Sequence, residues 1–106
     1  MTVKTIQSRP LLASGSFIVP QDMNTFEIDA GVIQLVVKVD PTISAPVVRF
    51  VNKIEIDLPS TPPPAKGYFE IPLNSPGGKT YVVSVFEEGL MTNTGTAICI
   101  TYSVVG

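Results

Sequence analysis

Val47-Val-Arg-Phe-Val-Asn-Lys-Ile-Glu-Ile-Asp-Leu58 is the stretch whose pattern decides the fold. Val48, Phe50, Ile54, Ile56 and Leu58 fall on one parity, interrupted by Asn52, while Arg49, Lys53, Glu55 and Asp57 occupy the other. Successive side chains of a strand point to opposite faces, so this period of two predicts a half-buried strand with a charged outer face. The order of signs, cations before carboxylates, predicts solvation and cross-strand pairing rather than a reactive site.

The same period recurs along the chain. Ile33, Leu35, Val37 and Val39 share a parity within residues 31–40, against Gln34 and Lys38. Ile98, Ile100, Tyr102 and Val104 do so near the C-terminus, against Ala97, Cys99, Thr101 and Ser103. Residues 79–87 are rich in Val, Tyr and Phe, and shorter strand candidates lie at 3–7, 15–19, 25–29 and 67–72. Turn formers separate most of them: Pro20-Gln-Asp-Met-Asn, Asp29-Ala-Gly, Asp40-Pro-Thr, Asn74-Ser-Pro-Gly-Gly and Thr92-Asn-Thr-Gly. No segment sustains helical periodicity, and Glu87-Glu-Gly-Leu-Met is expected to form one short turn at most. The pattern predicts an all-β protein, an antiparallel β-sandwich or jelly-roll-like barrel of about eight strands with no substantial helix.

A chain of 106 residues suffices for one core and falls short of two. The proline-rich stretch Leu58-Pro-Ser-Thr-Pro-Pro-Pro-Ala-Lys-Gly-Tyr-Phe69 therefore reads poorly as a linker, because neither 1–58 nor 67–106 has a disulfide or metal site to staple it. As a polyproline docking motif it lacks a correctly spaced cation: Lys66 would need proline at position 61, which is Thr. It reads instead as a stiffened loop within a single domain spanning 1–106. Prolines reduce the entropy of the free chain and blunt strand-edge pairing, and a preorganised loop makes contacts at little ordering cost. Pro59, Pro62, Pro63, Pro64, Lys66 and Tyr68 are accordingly the candidate interaction surface. Residues 1–12 are read as an extended N-terminal arm able to exchange with a neighbour.

Composition excludes much chemistry. The chain has no histidine, which removes the commonest general base and transition-metal ligand, and with it any Ser-His-Asp or Cys-His arrangement. Its seven Lys and Arg are scattered singly and the net charge is −2, so no nucleic-acid partner is expected. No apolar run approaches the ~20 residues of a membrane helix. Met-Thr-Val-Lys-Thr-Ile-Gln-Ser-Arg at the N-terminus has no sustained apolar stretch of the secretory kind, so folding in a cytoplasm is expected. Cys99, the single cysteine, is expected to be a buried or half-buried strand residue without cationic activation.

Glu27 with Asp29, and Glu55 with Asp57, are i, i+2 neighbours on strand faces rather than carboxylates across a cleft, which argues against glycoside hydrolysis. Asp22, Asn24, Glu27 and Asp29 offer oxygen ligands for calcium, without EF-hand spacing; a capped turn leading into an acidic strand is the simpler expectation. No cofactor is implied. Tyr68 is the one candidate aromatic platform, since there is no Trp and Tyr81 and Tyr102 alternate with core-type residues.

Several segments are apolar on both parities: Val32 and Val36 oppose Ile33–Val39 positions, and Val82 and Phe86 oppose Tyr81, Val83 and Val85. Two-sided strands predict burial against a second sheet or another subunit. The expectation is a non-enzymatic structural or assembly protein acting as a homo-oligomer or lattice component, with other structural proteins as further partners. In size and composition, a small all-β, histidine-free, Thr/Val/Pro-rich chain, it resembles virion accessory proteins such as bacteriophage capsid decoration, head-fibre or tail components. That resemblance implies a virion location after assembly in the host cytoplasm and carries over no functional residue. The alternative is a monomeric β-sandwich module binding carbohydrate or peptide through Tyr68 and the loop 59–67.

Overall fold

The structure, a computed structural model, describes residues 10–20, 25–74 and 78–106. Among them eight strands follow one another: β1 (Leu11–Pro20), β2 (Thr25–Asp29), β3 (Gln34–Asp40), β4 (Val47–Phe50), β5 (Ile54–Pro59), β6 (Lys66–Asn74), β7 (Thr80–Thr92) and β8 (Gly95–Val105). They form two four-stranded sheets, ordered β1-β8-β7-β6 and β2-β3-β5-β4, that face each other as a sandwich. The predicted all-β architecture is thus present. The strand candidate at 3–7 and residues 1–9 of the expected arm lie outside the described residues, whereas Leu11 and Leu12 belong to β1.

Two local expectations are corrected. The stretch 47–58 is a hairpin rather than one strand: β4 and β5 pair antiparallel with Val48 opposite Ile56 and Phe50 opposite Ile54, and Val51 N donates to Lys53 O. The register reflects the chain about Asn52, and reflection about a residue sends even positions to even positions. Apolar and charged parities therefore survive the turn, which is why the hairpin imitates a continuous strand. The second correction concerns residues 87–91, which continue β7 instead of turning; Glu87, Glu88, Gly89, Leu90 and Met91 pair with Ile100, Cys99, Ile98, Ala97 and Thr96.

The first sheet is antiparallel throughout. The second contains one parallel pairing, β3 with β5. Leaving β3, the chain crosses to the outer edge as β4, and the hairpin then returns β5 into the slot beside β3 in the same direction. A hairpin period alone cannot announce that insertion, because parallel and antiparallel partners share the same side-chain alternation.

Leu35, Val37, Val39, Ile56 and Leu58 from one sheet face Ile71, Leu73, Val83, Val85, Ile98, Ile100 and Val104 from the other, all buried. Each such side chain contributes roughly 1.5–3 kcal/mol on leaving water. Phe17 of β1 and Phe26 of β2 close one side edge-to-face, with ring centroids 3.9 Å apart. Tyr102 lies against Gly15: a β-carbon there would meet the tyrosine hydroxyl at 2.9 Å, so the glycine makes room for the ring.

Candidate functional site

The proline stretch passes from one sheet to the other at one end of the sandwich, between β5 and β6. Ala65 N donates to Pro62 O at 2.7 Å, and the Pro63–Pro64 peptide is cis, which makes Pro62–Ala65 a type VI turn. The turn lies on β7. Gly89 N donates to Ala65 O at 2.9 Å, and a β-carbon on Gly89 would fall 2.6 Å from Pro63 N. Only glycine admits so close a backbone approach. Thr61 points inward and donates its hydroxyl to Glu87 Oε1 at 2.7 Å, over the space left by Gly67.

Glu87 stands on the core-facing parity of β7 with 0% exposure, and its Oε2 has no hydrogen-bond partner. Burial pushes its carboxyl above the usual glutamate value, and the Thr61 hydrogen bond only partly opposes this. The sequence puts Glu87 at the end of the 79–87 strand segment, where one short turn at most is expected to begin, and does not single it out as buried. Its parity with Val83 and Val85 was the available signal for burial.

The predicted interaction residues are thereby divided. Pro59 is buried at the end of β5, and Pro63 is half-buried against β7. Pro62, Pro64, Lys66 and Tyr68 are exposed. Lys66 lies 3.9 Å from Glu88, and Tyr68 donates to Glu70 Oε1 at 2.9 Å. The loop is thus partly a plug for the sandwich, and its free side continues into β6.

From β6 the surface extends across the outer face of the first sheet. Register aligns Ser16, Thr101, Phe86 and Tyr68 in one row across β1, β8, β7 and β6, and Ser14, Ser103, Ser84 and Glu70 in the next. Phe86 and Tyr68 are direct cross-strand neighbours, a pairing the sequence reading missed because it depends on register. Neither β1 nor β8 contains a charged residue. Ile18 is 63% exposed and Tyr68 58%, and Leu11 and Phe86 are exposed as well. Val32, read as one half of a two-sided segment, is also exposed, in the connection after β2.

The outer face of the second sheet is different in kind. Arg49 of β4 forms a fork with Asp57 at 3.0 Å for both contacts and a further bond to Glu55 at 3.1 Å. These partners, Asp57 first, hold the guanidinium above its usual value. Lys53 pairs with Glu27 at 2.9 Å. The charges predicted to pair across strands therefore do so.

Of the calcium candidates, Glu27 is engaged by Lys53 and Asp29 accepts from Gly31 N at 2.9 Å, while Asp22 and Asn24 lie outside the described residues. Among the described residues, no group of three or more metal-ligating side chains converges. Cys99 is half-buried, beside Ile18 and Glu88 in the sheet. No helix of the described residues is long and apolar enough to cross a membrane. No protein-family model, curated protein or solved structure matches this chain.

Proposed function

We propose that this chain is a non-enzymatic structural protein that works by self-assembly, as a homo-oligomer or lattice component. The observation that carries this reading is the contrast between its two outer faces. One is laced with ion pairs from Arg49 and Lys53; the other is charge-free across β1 and β8 and exposes Leu11, Ile18, Phe86 and Tyr68. Apolar side chains grouped on one face favour burial against a partner. Within this class we favour a virion accessory component, such as a bacteriophage capsid decoration, head-fibre or tail protein, with other structural proteins as neighbours. Size and composition support that finer assignment.

Size-exclusion chromatography with light scattering, run over a wide concentration range, tests the reading. Defined oligomers are expected. A monomer at every concentration overturns it.

A second reading rests on the Tyr68–Phe86 pair. Two exposed rings side by side, with Ser84, Thr101, Ser103 and Glu70 around them, form a platform suited to a sugar: rings cover its apolar face and hydroxyls meet its edges. Binding on a glycan array that Tyr68→Ala abolishes would favour this module reading over assembly.

A further inference from the structure

We propose that the edge of β1 pairs antiparallel with β1 of a second copy, joining two β1-β8-β7-β6 sheets into one continuous sheet across a two-fold axis. The inference rests on the assembly reading above and names its interface.

Among the described residues the sandwich has four edge strands: β1 and β6 in one sheet, β2 and β4 in the other. An edge strand turns every second N–H and C=O away from its neighbour, and proteins suppress pairing there with shortness, charge, proline or bulges. Three edges carry such protection. β2 is five residues long and includes Glu27 and Asp29. β4 has four residues, among them Arg49. β6 carries Lys66, Glu70 and Pro72.

β1 is the exception. It runs for ten residues without a charge, and prolines stand only at position 10, just before it, and at its last residue, 20. A register shift between Leu11 and Ala13 distorts its start, which leaves residues 13–19 in unbroken register with β8. Among the described residues, β8 is its only strand partner.

The partner that fits this edge is a second copy. A two-fold axis normal to the sheet reverses strand direction while keeping each face on its own side, so the contact is self-complementary. Registers that preserve the faces place Ser14, Ser16 and Ile18 of one copy opposite the same set on the other. All three are exposed and uncharged, so no like charges meet. Pairing there also makes the charge-free β1 and β8 portions of the two outer faces contiguous.

The test uses two double variants, Ser14→Lys with Ser16→Lys, and Ser14→Glu with Ser16→Glu. Both positions point to solvent, and unchanged far-UV circular dichroism and thermal unfolding would report an intact sandwich. Each variant alone should associate at least about tenfold more weakly than the parent, because like charges face each other. An equimolar mixture should recover association through opposite charges. If the parent assembles and both variants assemble equally well, the β1 inference fails while the assembly reading stands. A parent that is monomeric throughout removes both. Hydrogen exchange on the unaltered chain gives an independent measurement: alternate β1 amides should be protected in concentrated solution and lose protection on dilution. Protection that ignores concentration, or its absence at every concentration, overturns the inference without any variant.

Discussion

Thr61 of the proline loop donates to Glu87 of β7 across 2.7 Å, and among the described residues this is the one hydrogen bond that the wholly buried carboxyl group receives. It joins a loop marked in the sequence by its prolines to a residue that the sequence puts at the end of a strand segment. The remaining oxygen of Glu87 is left without a partner, which makes the contact sensitive to pH.

Folding should weaken as pH rises, because of Glu87. Its folded-state carboxyl titrates above the value of 4.5 expected for an unperturbed glutamate. The folded chain therefore keeps a proton that the unfolded chain has released, and its stability contribution is fully present below the unfolded value and lost as pH climbs through the folded one. Asp40 acts oppositely and lower: hydrogen bonds from the Thr42 hydroxyl and amide depress its carboxyl below 3.8, so its contribution is lost as pH falls through the folded value. Glu87→Gln should flatten the upper slope and raise stability at neutral pH. Urea unfolding at a series of pH values measures both; an unchanged slope in the variant would show that Glu87 is not its source.

Thr61→Val should destabilise by about 1–3 kcal/mol near neutral pH, the cost of leaving a buried acceptor unsatisfied. In the Glu87→Gln background, the amide is uncharged and the loss should be smaller. A double-mutant cycle from chemical denaturation reads the coupling, and additive effects would contradict the bond.

Gly89→Ala should be among the most damaging small substitutions. Its β-carbon would lie 2.6–2.7 Å from the backbone of Pro62 and Pro63, and backbone cannot yield as a flexible side chain does. We expect a loss of about 1–3 kcal/mol, as in other overpacked sites. By comparison Gly15→Ala meets only the Tyr102 ring and its hydroxyl, which can shift, and should cost less. Thermal unfolding of the two variants gives the order directly.

If the loop were a contact surface alone, replacing Pro62, Pro63 and Pro64 together with Gly and Ser would weaken assembly more than fold. The turn's seat on Gly89 alters that balance. Lost chain stiffness alone is worth roughly 0.4–1 kcal/mol per proline. Thermal unfolding should therefore fall clearly in a monomeric background such as the Ser14→Lys, Ser16→Lys variant. Unfolding unchanged there, with association reduced in the parent, would restore the loop as a contact surface.

Much of the fold was legible locally. The parity of Leu35, Val37 and Val39, and of Ile98, Ile100 and Val104, put the right side chains inward, because alternation is a property of one strand and needs no partner. The 47–58 segment shows the limit of the same signal. A turn centred on Asn52 preserves parity, so one strand and a hairpin read alike, and Asn52 itself was the sole hint. The candidate surface was legible in part: Tyr68 was identified, whereas Phe86 beside it required the β6–β7 register.

By itself, then, the sequence determined that the chain is all-β, which face of most strands turns inward, and that catalysis dependent on histidine is closed to it. Tertiary structure decided the division into two sheets, the parallel entry of β5 beside β3, the burial of Glu87 under Thr61, and the place of the uncharged β1 at a sheet edge among the described residues. The physical reason is range. Side-chain alternation is set by neighbouring backbone dihedrals, but strand partners, register and edges are set by contacts between residues far apart in the chain, and no local pattern contains them.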